Sequence, residues 1–282
     1  MIPFTKAHAC GNDFLIVAED DVQGSDRAGL TRRLCARNTG IGADGVEFFR
    51  WTGLFAGHIT LHNADGSHAE ISGNGTRCVA AWMALKMDAR AGDEMRIETG
   101  AGLRVCRIDA VGADGINTID ISTGMGVPTF ARRTVRLADG AAMDGAAMDG
   151  AAIDGAEVSM GNPHFVIVVE NPDFAIAGRA WQAVGEEICA HPDFPRRTNV
   201  EFIRIASPAE IELRIFERGV GPTSSSGTGT CAAAVAAIAF NGCRSPLRVV
   251  APGGAQTVQW SGGVGELALT GPAVMVASGE AW

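Results

Sequence analysis

Ser72-Gly73-Asn74-Gly75-Thr76-Arg77-Cys78 leads into Val79-Ala80-Ala81-Trp82-Met83-Ala84, and Ser226-Gly227-Thr228-Gly229-Thr230-Cys231 leads into Ala232-Ala233-Ala234-Val235-Ala236-Ala237. In each stretch a serine precedes a glycine-broken turn, and the turn opens onto an apolar run. That order predicts a helix that begins at the serine. A helix start exposes backbone N–H groups and the positive end of the peptide dipoles, which together suit an anion. Two such starts serving one ligand would hold a carboxylate between them, with the backbone of Gly73, Asn74, Gly227 and Thr228 as donors. The plainer alternative is that Ser72 and Ser226 are ordinary N-caps of buried helices.

Working outward, the duplication continues in the same order. Gly11-Asn12-Asp13-Phe14 recurs as Gly161-Asn162-Pro163-His164-Phe165, and Gly45-Val46-Glu47-Phe48 recurs as Asn199-Val200-Glu201-Phe202. Gly45 lies 27 residues before Ser72, and Asn199 lies 27 before Ser226. Asn63 and Glu217 each stand nine residues ahead of their serine. Matched blocks with matched gaps indicate two homologous halves.

Each half reads as strand, helix, strands, glycine turn and helix. Alternating or β-branched runs predict strands over 14–17, 46–50, 59–62, 165–169, 200–205 and 211–216. Helices are expected over 26–37, 180–189, 76–87 and 230–240. The last of these carries no charge, so it must be buried on every side. The fold class is therefore α/β (α+β), with two pseudo-symmetric domains, each a curved, mostly antiparallel sheet around a central apolar helix. Residues 138–155 repeat Ala-Ala-Met-Asp-Gly and read as a solvated loop; the calcium-loop alternative lacks the closing glutamate.

The chain of 282 residues is 46% hydrophobic and 20% charged, enough for two ordinary domains. A formal charge of −9, with only scattered arginine pairs, excludes a nucleic-acid role. No run is apolar enough to span a membrane, and Met1-Ile2-Pro3-Phe4 reads as strand rather than secretion signal. Seven cysteines without a C-x-x-C pair indicate a reduced, cytoplasmic setting with no disulfide frame and no metal site.

Other residues gain meaning beside the turns. Glu217-Arg218 closes an apolar strand; it is either a partly buried ion pair or a zwitterion clamp, with arginine on a carboxylate and glutamate on an ammonium. His164, inside an apolar strand, is either a core histidine or a titrating group of the site.

These blocks, together with Gly40-Ile41-Gly42-Ala43-Asp44-Gly45, Asn63-Ala64-Asp65-Gly66-Ser67, Thr198-Asn199-Val200-Glu201-Phe202 and Leu269-Thr270-Gly271-Pro272-Ala273, resemble the diaminopimelate epimerase family over nearly the whole chain. The resemblance implies two domains, 1–124 plus 272–282 and 125–271, with the active site in their cleft and the C-terminal tail returning to the first domain. It implies a cofactor-independent epimerase of an amino-acid-like substrate, inverting an α-carbon as in the conversion of LL- to meso-diaminopimelate. By position, Asn12, Asn63, Asn162, Asn199, Glu217 and Arg218 are implied substrate ligands, with Arg218 on the distal carboxylate. The family often forms homodimers, the sole ground for expecting one. Its two catalytic cysteines fall at Ser72 and Ser226, which are serines here, with His164 implied beside the first and Glu217 beside the second. Pro222 and Ala36 also depart from the family pattern. Ser72, Ser226, His164 and Glu217 are thus the expected catalytic set. The alternative is a family member, natural or altered from cysteine to serine, that binds a zwitterionic dicarboxylate with impaired catalysis.

Overall fold

A computed structural model of the protein describes residues 1–112, 117–137 and 151–282. The repeat over 138–150 lies outside the described residues. The chain divides into two compact units, Met1–Gly124 with Thr270–Trp282, and Met125–Leu269.

The first unit runs β1 (Ile2–Ala9), β2 (Asn12–Ala18), α1 (Arg27–Cys35), β3 (Gly45–Gly53), β4 (Ala56–Asn63), β5 (His68–Ala69), α2 (Gly73–Lys86), β6 (Glu94–Thr99), β7 (Gly102–Val111) and β8 (Thr118–Gly126). The second runs β9 (Thr129–Arg136), β10 (Ala152–Ser159), β11 (Pro163–Val168), α3 (Trp181–Cys189), β12 (Asn199–Ser207), β13 (Glu210–Glu217), β14 (Gly221–Thr223), α4 (Gly227–Phe240), β15 (Leu247–Ala251) and β16 (Gly254–Gln259). The long β17 (Leu267–Ala281) pairs antiparallel with β1.

Most neighbours are antiparallel, as the sequence predicts, but each unit has two parallel pairs. These are β2 with β3 and β4 with β6 in the first, and β11 with β12 and β13 with β15 in the second. Parallel neighbours need a long crossover, and α1, α2, α3 and α4 supply the four. The mixed α/β duplication is therefore built at the level of strand order. One expectation fails at its edge. The final repeat copy, Ala152 to Gly155, is not loop but the start of β10, pairing with β9 from Ala152↔Arg136 onward. Ile153, Ala156 and Val158 give β10 its buried positions, and the turn-like Asp-Gly at 154–155 is overridden by that pairing.

Strand alternation sorts the side chains between two layers. On β3, Val46 and Phe48 pack with Leu30 and Leu34 of α1, while Phe49 joins the cluster around α2. On β12, Val200 and Phe202 pack with Val184 and Ile188 of α3, while Ile203 joins the cluster around α4. α4 is buried from Gly229 through Ala237, and its alanines combine high helix propensity with little bulk. Glu47 and Glu201 share the α2 and α4 sides of their strands, so alternation drives a carboxyl into each core. Among the described residues no helix is long and apolar enough to cross a membrane.

Candidate active site

Ser72 and Ser226 are both N-caps. Ser72, in extended conformation at φ −123° and ψ 123°, accepts from the Gly75 N–H at 3.1 Å. Ser226, at φ −147° and ψ 129°, accepts from the Gly229 N–H at 3.3 Å. The backbone carbonyls of the two serines accept from Thr76 and Thr230, at 2.8 and 2.9 Å. A hydroxyl that accepts an N–H keeps its own proton to donate, so capping leaves each serine available for proton chemistry.

The glycines of the turns divide by function. A Cβ on Gly75 would lie 2.0 Å from Oε1 of Glu47, and one on Gly229 would lie 2.9 Å from Oε1 of Glu201. Internal packing therefore accounts for glycine at these two positions. Gly73 would meet no described atom within 4 Å, Gly227 only ordinary contacts from 3.6 Å, and neither has positive φ. At the first helical position of α2 and α4, glycine is thus required neither by backbone conformation nor by crowding from described atoms. Approach of a ligand to the backbone is the remaining physical use for a missing Cβ.

In the first unit Asn12 and Asn74 are brought together: the Asn74 Nδ2 donates to Asn12 Oδ1 at 3.1 Å. Arg77, buried in α2, donates to the Asn74 side-chain oxygen. The Asn12 amide in turn donates to Asp44 at 2.7 Å, and Arg37 bridges Asp44 and Asp13 at 2.7 and 2.8 Å. Although burial raises it, the Asp13 carboxyl is held below the usual range by Arg37 and by Lys6, whose Nζ is 3.0 Å away. This network fixes the amides of Asn12 and Asn74. Asn63 is exposed and closes its own turn on Ser67, with Nδ2 to Oγ at 3.0 Å.

In the second unit Glu217, at the end of β13, lies against Ser226. Burial pushes its carboxyl up, and the nearness of Ser226 and of His164 acts the other way. His164 is fully buried, with Nδ1 2.7 Å from Oε1 of Glu201 and Nε2 3.0 Å from Oδ1 of Asn162. Asn162 reaches α4 through Nδ2 to Thr228 Oγ1 at 3.3 Å. Asn199 accepts the Arg218 N–H at 2.9 Å and donates to the Pro163 carbonyl at 3.2 Å. The exposed Arg218 guanidinium donates to the Arg196 carbonyl at 2.8 Å. Arg218, Arg196 and Asn162 line a cavity of about 370 Å³. In the second unit His164, Asn162 and Thr228 are thus joined by hydrogen bonds, and Asn199 is joined to the backbone of Arg218.

Two residues escape a motif-based reading: Glu47 and Glu201. Burial pushes the Glu47 carboxyl up to about 8, and pushes that of Glu201 up as well. The sequence held the signal, since both sit in the duplicated strand block with the parity of inward-facing residues. The cysteines offer no substitute base. All seven are buried and outside any disulfide, and burial pushes the Cys78 thiol far above its usual range. Among the described residues no group of His, Cys, Asp and Glu is arranged to hold a metal.

The duplicated α/β fold, each unit a sheet wrapped on a central helix, is also seen in solved structures. A phenazine biosynthesis protein of the PhzF family from Bacillus anthracis matches with a TM-score of 0.70 at 16% identity, over 100% of this chain and 99% of that one. Within that class the chain belongs to the diaminopimelate epimerase family. The family model, described as diaminopimelate epimerase, matches residues 4–130 and 157–276. A diaminopimelate epimerase of Moorella thermoacetica is 36% identical over 281 residues, covering 98% of each chain. One from Pelotomaculum thermopropionicum is 37% identical over 284 residues, again covering 98% of each.

Proposed function

We propose that the protein inverts the α-carbon of a diaminopimelate-like amino acid by proton transfer, with serine hydroxyls where the family uses cysteines. The observation that carries this is the placement of the capping Ser226 at the start of α4 near Glu217, a carboxyl whose burial raises its basicity. A serine hydroxyl does not ionise near neutral pH, so an adjacent base must take its proton. In the proposed step the substrate Cα–H bond breaks, the proton passes to the Ser226 oxygen, and the Ser226 proton passes to Glu217. Inversion requires a donor on the opposite face; this role is assigned to Ser72, whose hydroxyl proton passes to the α-carbon and is replaced from solvent, with His164 as the further member of the set.

The proposed substrate shell is Asn12, Asn63, Asn162 and Asn199, the backbone at Gly73, Asn74, Gly227 and Thr228, and the Glu217-Arg218 pair. Arginine presents a planar fork suited to a carboxylate, and glutamate accepts from an ammonium. A cytoplasmic setting accompanies the proposal on the strength of seven cysteines outside any disulfide, and a homodimer on the habit of the family.

A second reading is favoured by the residue type at both helix starts: serine hydroxyls, which do not ionise near neutral pH, stand where the family has thiols. On that reading the protein binds a zwitterionic dicarboxylate without turnover. Incubation with LL- and meso-diaminopimelate in heavy water separates the two. Deuterium entering the α-position without added cofactor supports the epimerase. Calorimetric binding without exchange supports the second reading, and neither signal removes both.

A further inference from the structure

The buried His164–Glu201 pair has a feature beyond mutual attraction. Nε2 of the ring faces Oδ1 of Asn162, an atom that only accepts, while Nδ2 of that amide donates to Thr228, a hydroxyl that would serve either end of the amide. Nε2 therefore carries a hydrogen. What remains is one proton for the 2.7 Å contact between Nδ1 and Oε1. The other carboxyl oxygen, Oε2, decides where it resides, because it is buried and has no hydrogen-bond partner among the described residues. A carboxylate with one oxygen bare in an apolar shell is costly. A neutral acid with its hydroxyl on Oε1 removes most of that cost, and burial raises the carboxyl in spite of the opposing influence of His164.

We propose that Glu201 is a positioning residue of the site: as a neutral acid it donates from Oε1 to Nδ1 of His164, fixes the imidazole as its Nε2–H tautomer, and through that N–H orients Asn162. The inference rests on the assignment of Asn162 and His164 to the substrate site made above.

The duplication supplies an internal comparison. His164 stands opposite Asn199 in the β11–β12 ladder, and Phe14 stands opposite Gly45 in the matching β2–β3 ladder. Glu201 and Glu47 follow at the same offset, and each reaches beneath the third residue of its helix, Gly229 or Gly75. Where His164 serves Glu201, the first unit has a phenyl ring, and both Glu47 oxygens are without a hydrogen-bond partner among the described residues. The same carboxyl therefore occurs once with an imidazole to hold and once without.

The test is nitrogen NMR of the full-length protein labelled with ¹⁵N-histidine at pH 7, with His164 assigned by through-bond correlation. The parent protein should show His164 neutral with its proton on Nε2. Glu201→Gln should keep that tautomer, since a glutamine amide also donates to Nδ1. Glu201→Leu should lose it and weaken meso-diaminopimelate binding by about five-fold, the loss expected for one oriented hydrogen bond. Glu47→Gln and Glu47→Leu should leave the His164 signals unmoved. A doubly protonated His164 in the parent overturns the proposal, as does an unchanged tautomer in Glu201→Leu. The parent spectrum decides alone should the leucine variant fail to fold. Absence of α-deuteration would remove the epimerase reading and leave this spectrum untouched.

Discussion

Replacing Glu47 by glutamine isolates the cost of a carboxyl sealed into the core around α2. Burial moves this group from its ordinary 4.5 to about 8, with no compensating charge or hydrogen bond among the causes of the shift. Between those values the folded chain keeps a proton that the unfolded chain has released. The unfolded state therefore binds fewer protons, and stability falls as pH rises through the window. The slope is about 1.4 kcal/mol per pH unit, and the whole interval amounts to roughly 5 kcal/mol. At pH 5 the variant should be equal or less stable, because a buried amide without partners costs about 1–3 kcal/mol. By pH 7.5 the order should reverse, because glutamine does not titrate. The assay is urea unfolding at pH 5, 6, 7 and 8, followed by peptide-level hydrogen exchange over α2, with α4 as the control element. Glu201 and Glu217 titrate in both proteins and cancel in the difference. Parallel stability curves for parent and variant across this range would refute the argument, since they would mean that Glu47 is already ionised or already hydrated.

Restoring cysteine at both Ser72 and Ser226 should raise the α-deuteration rate by about ten-fold or more, because a thiol titrates near 8.5 and is lowered further at a helix start. No gain in exchange would point to Pro222 and Ala36 as the limiting departures. Gly75→Ala should cost about 2–3 kcal/mol, because its Cβ would fall 2.0 Å from the Glu47 carboxyl in a filled core. Gly229→Ala, at 2.9 Å from Glu201, should cost less, and thermal unfolding of the two variants checks the order.

Much of this architecture was legible because it is written twice. The matched gaps from Gly45 to Ser72 and from Asn199 to Ser226 reflect a strand, a hairpin and a crossover of constant length, so spacing in the sequence maps directly onto strand order. The serine-capped helix starts were legible for a local reason, since a cap depends on a few neighbouring residues and little else. The partners of the asparagines were less legible. Asn12 and Asn74 are joined across 62 positions, and Asn162 and Thr228 across 66, by the closing of parallel ladders rather than by any local pattern. Glu47 and Glu201 were hidden differently. Their inward direction follows from alternation, but a charged residue in a strand ordinarily signals the solvent face, and that expectation masks them.

The contrast between those two glutamates shows how a duplicated scaffold acquires unlike halves. Ladder register, crossover helix, capping serine and tight glycine are all retained in both units, so the space beneath each helix start is set by the backbone. Within that space the facing ladder residues differ, Phe14 and Gly45 in one unit and His164 and Asn199 in the other. An imidazole can link the buried carboxyl to Asn162 and so to Thr228 at the start of α4, whereas a phenyl ring ends the connection at Glu47. The first unit reaches its own asparagine from the opposite side, through Arg37, Asp44 and Asn12 to Asn74, by charges nearer the surface. The two amide clusters are therefore held by unrelated means. Substitutions in the Arg37–Asp44 network should act on Asn12 and Asn74 while leaving the tautomer of His164 as it was.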